Sequence, residues 1–143
     1  IHASAGRVYA TLADYREGHP RILPERYFAN FAVEAGGVGA GTVIGFEMRV
    51  LGRRQRFRAT VSEPEPGRIL MEVNDSGAET TFTVVPTEDD ASCDVTIATS
   101  MDVRRGLMGR VAASLASRML RPIYREELEL LEGVVTPNTT GAQ

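Results

Sequence analysis

Val43-Ile44-Gly45-Phe46-Glu47-Met48-Arg49-Val50, then Leu51-Gly52, then Arg53-Arg54-Gln55-Arg56-Phe57-Arg58-Ala59-Thr60-Val61, sets the architecture of this chain. Ile44, Phe46, Met48 and Val50 alternate with Val43, Gly45, Glu47 and Arg49, while Phe57, Ala59 and Val61 alternate with Arg54, Arg56, Arg58 and Thr60. A period of two sends successive side chains to opposite faces, so each run reads as a strand with one apolar face. The break at Gly52 predicts a hairpin.

The same period extends outward on both sides. Upstream, Phe31 and Val33 alternate with Asn30 and Glu34, and Gly36, Gly37, Gly39 and Gly41 mark the following turn. Downstream, Pro64, Pro66 and Gly67 close one strand, and Ile69, Met71 and Val73 form a shorter one whose inward face they are expected to make. Thr80, Phe82 and Val84 begin another after the turn at Asn74 to Gly77, and Cys93, Val95, Ile97, Thr99 and Met101 share a face of the last. Six consecutive strands with short turns predict an antiparallel meander.

Helical spacing appears only at the two ends. Ser4 is placed to cap a helix running to about Ala13, with Val8 and Leu12 inward, and a short helical turn is expected at Arg21 to Leu23. Asp102 is placed to cap a long C-terminal helix carrying Leu107, Met108, Val111, Leu115, Met119, Ile123, Leu128 and Leu131 at helical spacing. Pro122 lies inside it and predicts a bend near Arg118 to Pro122, and Gly133 is expected to end it. A sheet with one apolar face needs a cover, and this helix is the element long enough to provide it. The reading is one α+β domain over residues 1–135, with a loose polar tail over 136–143.

With 143 residues, 43% of them hydrophobic and 24% charged, the chain has the composition of an ordinary globular domain. Its formal net charge of -3 argues against nucleic acid as the main partner. All 16 basic residues are Arg, so chemistries that need a lysine amine, the P-loop and the Schiff base among them, are excluded. Cys93 is the single cysteine, which precludes an intrachain disulfide or a cysteine-based metal site and points to a reducing compartment, the cytoplasm. No stretch is long and apolar enough to predict a transmembrane segment. No cofactor and no metal are expected, and a homodimer is compatible with the pattern.

The run Ala3-Ser4-Ala5-Gly6-Arg7-Val8-Tyr9 with Leu12 and Asp14, then Gly39-Ala40-Gly41-Thr42, then Glu63-Pro64-Glu65-Pro66-Gly67-Arg68, and finally Glu126-Glu127-Leu128 with Leu131, resembles the START-related, Bet v 1-like helix-grip superfamily. Within it, the polyketide cyclase/dehydrase-like family is the most similar subgroup. The resemblance runs the length of the chain and rests on turn and core positions. It implies a curved antiparallel sheet of six to seven strands gripping the C-terminal helix, with one or two short helices after the first strand. Ile1 and His2 would then be the end of that first strand. It also implies an apolar cavity that takes a lipid, quinone, polyketide or similar molecule.

The expected ligand-binding residues are Phe31, Phe46, Met48, Phe57, Met71, Phe82 and Met101 on the sheet, and Leu115 and Met119 on the helix. Unbranched thioethers suit ligands of varied shape. Thr80, Thr99 and Tyr124 are the polar groups expected to orient a ligand there. His19, between Gly18 and Pro20, is positioned as a general base at the cavity mouth but has no partner legible in the sequence, and a loop histidine is more often a packing residue. Glu47 and Glu72 are expected on the solvent face. Glycines 37, 39 and 41 join two antiparallel strands, so they lack the helix N-terminus that a dinucleotide loop needs. No Gly-x-Ser-x-Gly elbow occurs. Three functions fit: a carrier of a hydrophobic small molecule, a cyclase or aromatase, or a protein-interaction module.

Overall fold

Helix α1 (Ala5–Ala13) buries Val8, Tyr9, Leu12 and Ala13 along one side, which is the i, i+4 spacing read in the sequence. The structure is a computed structural model and describes residues 1–101 and 106–136. Ser4 occupies the N-cap position of α1, yet its side chain makes no capping bond. A 3-10 turn follows at His19–Ile22, two residues earlier than expected, because Pro20 fits the first turn of a helix.

Six strands then run in order as a meander: β1 (Phe28–Ala35), β2 (Val43–Val50), β3 (Arg53–Glu65), β4 (Ile69–Asn74), β5 (Glu79–Pro86) and β6 (Cys93–Ser100). Every neighbouring pair is antiparallel. Asn30 takes a positive φ of 51° inside β1, and the register shifts there, so Phe28 and Phe31 both reach the inner face despite their odd spacing. Ile1 exchanges two backbone hydrogen bonds with Cys93, extending the ladder past β6.

Helix α2 (Leu107–Val135) is continuous through Pro122 and Gly133, so the glycine does not end it. Its buried residues are Gly109, Ile123, Glu127, Leu131 and Val135. Leu107, Met108, Val111 and Leu115, expected on the inward stripe, are exposed, because the inward side of the helix is the one that carries Gly109, Ala116, Ile123 and Glu127, and Leu107, Val111 and Leu115 project from the opposite side. The cap expected from Asp102 and the tail after Thr136 lie outside the described residues. The packed core sits at one end of the sheet, where Leu12, Tyr15, Ile22, Ile44, Leu70 and Leu131 are fully buried. No helix among the described residues is long and apolar enough to cross a membrane.

One face assignment is reversed. Across the β3–β4 ladder Val61 faces Glu72, and across β4–β5 Leu70 faces Phe82 and Glu72 faces Thr80. Leu70, Glu72 and Asn74 are therefore the inward residues of β4, and Ile69, Met71 and Val73 point outward. With a period of two, one step of register moves the whole set of side chains to the opposite face.

Candidate functional site

Between the concave sheet and α2 lies a cavity of about 600 Å³. Of the residues expected to bind a ligand, β1 supplies Phe31, β2 supplies Phe46 and Met48, and β3 supplies Phe57. Thr80, Phe82, Thr99 and Met101 come from β5, β6 and the residue after it, while Met119 and Tyr124 come from α2. Phe28, Phe46 and Phe57 form a row of tilted rings with neighbouring centroids 5.8 Å apart. Met71 and Leu115 do not line the cavity: Met71 lies on the outer face of β4, and Leu115 is on the exposed side of α2.

Polar groups gather at the closed end of this apolar space. Thr80 and Thr99, paired across β5 and β6, share a hydrogen bond of 2.8 Å, and Thr99 is bonded in turn to the Tyr124 hydroxyl. Burial pushes the Tyr124 phenol above its ordinary range. Next to this chain, Glu72 accepts a 2.6 Å hydrogen bond from the Tyr15 hydroxyl, and its Oε1 lies 3.5 Å from His19 Nε2. His19 Nδ1 is 2.8 Å from the Leu12 carbonyl oxygen, which can only accept, so Nδ1 carries a proton and Nε2 is the atom turned to Glu72. The imidazole is stacked on Tyr15 at 4.4 Å and meets the edge of Phe82 at 5.4 Å. His19 is thus not at the mouth, as expected, but 2% exposed at the floor.

Glu127 completes the cluster. It stands in the i, i+4 row of Ile123, Glu127, Leu131 and Val135, the buried stripe of α2, and is 3% exposed. It lines the cavity, and among the described residues no hydrogen-bond partner meets its carboxyl. Burial, with the nearby charge of Glu72 adding to it, pushes this carboxyl well above the usual carboxylate range. In its protonated form such a carboxyl is a hydrogen-bond donor toward the cavity.

Three of these groups were missed in the sequence. Tyr15 and Glu127 were given no role, and Glu72 was placed on the solvent face. The four-residue spacing from Ile123 to Val135 contained the signal for Glu127. Nothing local marked Glu72, whose direction depends on strand pairing.

The chain belongs to the polyketide cyclase/dehydrase and lipid transport family, whose pattern matches residues 1–136. Its structure is similar to the solution structure of KanY protein, with 28% identity, coverage of 94% of this chain and 91% of that chain, and a TM-score of 0.79. It is also similar in fold to a START superfamily protein from Mycobacterium smegmatis (18% identity, 94% and 91% coverage, TM-score 0.56). A third likeness is to Ara h 8.0201 (12% identity, 93% and 90% coverage, TM-score 0.58). These establish the helix-grip fold expected from the sequence. No curated protein matches the chain.

Proposed function

We propose that the cavity binds a neutral hydrophobic small molecule that carries a hydrogen-bond-accepting oxygen, such as a ketone, quinone or polyketide carbonyl. The observation that carries this reading is Glu127: an unpartnered, buried acid among the described residues, facing an apolar space. Its proton supplies the donor for the ligand oxygen, and the Tyr124 hydroxyl from the same helix and the Thr99 hydroxyl from the sheet line the same cavity. The aromatic row and Met48, Met101 and Met119 receive the apolar body. Burying about 200 Å² of ligand contributes about 5 kcal/mol before ordering costs, which by itself corresponds to binding no tighter than about 0.2 mM, so the hydrogen bond to the ligand oxygen and any further apolar burial have to supply the rest. A fatty-acid carboxylate would bring a further negative charge beside Glu72 and is disfavoured.

The test is displacement of a fluorescent apolar probe by dodecan-2-one, dodecanoate and dodecylamine. The ketone should compete best, and Glu127→Leu should remove its advantage while Glu127→Gln, which still donates, keeps most of it. Tightest binding by the amine would replace this reading with a cation site, and failure of the probe and all three compounds to bind would refute the cavity reading.

The pairing of Glu72 with Glu127 favours a second reading, the cyclase or dehydrase. Glu127 would give its proton to a carbonyl oxygen while Glu72 took one from the adjacent carbon, moving the negative charge from Glu72 to Glu127 with no net proton gained. Exchange of the ketone's α-protons with deuterated water, lost in Glu72→Gln, is its signature.

A further inference from the structure

The arginines of this chain are not spread evenly. Eleven of the 16 fall in two stretches, five in residues 49–58 and six in residues 104–125, and neither stretch contains Asp or Glu. The rest of the chain holds five arginines against all 19 acidic residues. A molecule with a formal charge of -3 therefore has strongly basic segments.

The fold brings part of each segment to one end, while Arg121 and Arg125 lie in an outer groove with Glu129 and Glu132. Residues 49–58 form the hairpin between β2 and β3, and Val50, Leu51 and Arg53 line the cavity together with Met101, Ala116 and Met119 from the β6–α2 side. This is the open end of the cavity, opposite the His19 floor. Arg49 and Arg54 are directly opposite each other across the hairpin, a repulsive cross-strand pair. Among the described residues, Arg49, Arg53, Arg54, Arg110, Arg118 and Arg121 make no salt bridge, whereas Arg56 stands opposite Glu47 across the ladder and Arg58 is paired with Glu34. Asp75, whose N–H bonds to the Arg58 carbonyl, is an acidic residue at the base of this pole.

Large apolar side chains protrude among the arginines. Leu51 is 83% exposed at the hairpin tip, and it holds a positive φ of 52° next to Gly52 at 70°. A two-residue turn with both φ positive favours Asn or Gly, so a leucine there is held against backbone preference. On α2, Leu107, Val111 and Leu115 follow one another at four-residue spacing as a single exposed stripe, with Met108 beside it at 88% exposure and Arg110 and Arg118 at three-residue spacing from Leu107 and Leu115.

We propose that this basic, apolar pole docks on an anionic lipid surface, with Leu51 and the Leu107–Val111–Leu115 stripe entering the headgroup boundary and the arginines meeting the lipid phosphates. The open end of the cavity would then face the bilayer. Charge complementarity selects the occupant: a second copy would set arginine against arginine, and a purely acidic soluble partner would leave the leucines unmatched. Each arginine held close to an anionic surface is worth about five-fold in partitioning, and the effect is screened by salt.

The experiment is co-sedimentation of the 143-residue chain with vesicles of phosphatidylcholine alone and of phosphatidylcholine mixed with phosphatidylglycerol. Binding should favour the anionic vesicles, weaken with added salt, and fall about ten-fold or more in Arg53→Gln/Arg54→Gln. Leu51→Glu and Val111→Glu/Leu115→Glu should each weaken it as well, and since all these positions are exposed the variants are expected to fold, as circular dichroism would verify. Glu127→Leu, which alters the cavity floor, should bind vesicles as the parent does, so this result is separable from that of ligand binding. Equal binding to both vesicles, or indifference to all three surface variants, would overturn the proposal. So would a stable dimer by light scattering that Leu51→Glu dissolves, or binding to dissolved polyglutamate without binding to vesicles.

Discussion

The Tyr15 hydroxyl donates a 2.6 Å hydrogen bond to Glu72 Oε1 across 57 residues of chain, tying the segment after α1 to the inner face of β4. Tyr15 is fully buried, and burial with the neighbouring Glu72 raises its phenol well above 10.0. Tyr15→Phe removes the donor and leaves the mostly buried Glu72 carboxyl under-satisfied, so unfolding in urea should show a loss of about 1–3 kcal/mol. The alkaline limb should change too. A phenol whose folded pKa is raised stabilises the protein below its unfolded pKa and loses that contribution as pH climbs toward the folded value. Tyr15→Phe should therefore lose less stability above pH 10.0 than the parent.

Glu127 gives a second pH dependence with a definite sign. Its folded pKa lies well above 4.5, so the folded state holds the proton more tightly than the unfolded chain does. Stability should be greatest below the unfolded value and should decline as pH rises from there through the folded pKa. Glu127→Gln keeps the shape and removes the proton, so thermal melts across that range should show a flatter profile. An unchanged slope would mean that the carboxyl is charged at neutral pH.

The reversed face of β4 is open to direct measurement. Leu70 is fully buried and Met71 only partly so. Leu70→Ala should cost about 2–5 kcal/mol, and Met71→Ala much less, since only core truncation leaves a cavity. Equal costs would contradict the register.

Gly18 holds His19 in place. A Cβ added there would sit 2.4 Å from the Thr11 carbonyl oxygen, a contact with backbone that no side-chain rotation relieves. Gly18→Ala should lower the melting temperature and loosen the His19 imidazole from the Leu12 carbonyl, visible as a shifted imidazole resonance.

Strand content was legible because its signal is local. From Ile44 to Val50 and from Phe57 to Val61 the alternation has one apolar and one charged phase, and the observed faces follow it. In β4 both phases contain apolar residues, Ile69-Met71-Val73 against Leu70 with Glu72 and Asn74, so hydrophobicity favoured the wrong one. On α2 the error had another source. Leu107, Val111 and Leu115 make a helical stripe, but the side of α2 that packs inward is the one with Gly109, Ile123, Glu127 and Leu131, which contains a glycine and a carboxylate and is the less apolar of the two.

The sequence alone determined the meander, the two flanking helices, the family and most of the apolar wall, because alternation, helical spacing and turn residues act within a few positions. Tertiary structure decided the chemistry of the cavity. Glu72, His19 and Glu127 come from three distant segments, and only strand register and helix packing bring them to one floor, where burial raises the pKa of Glu127.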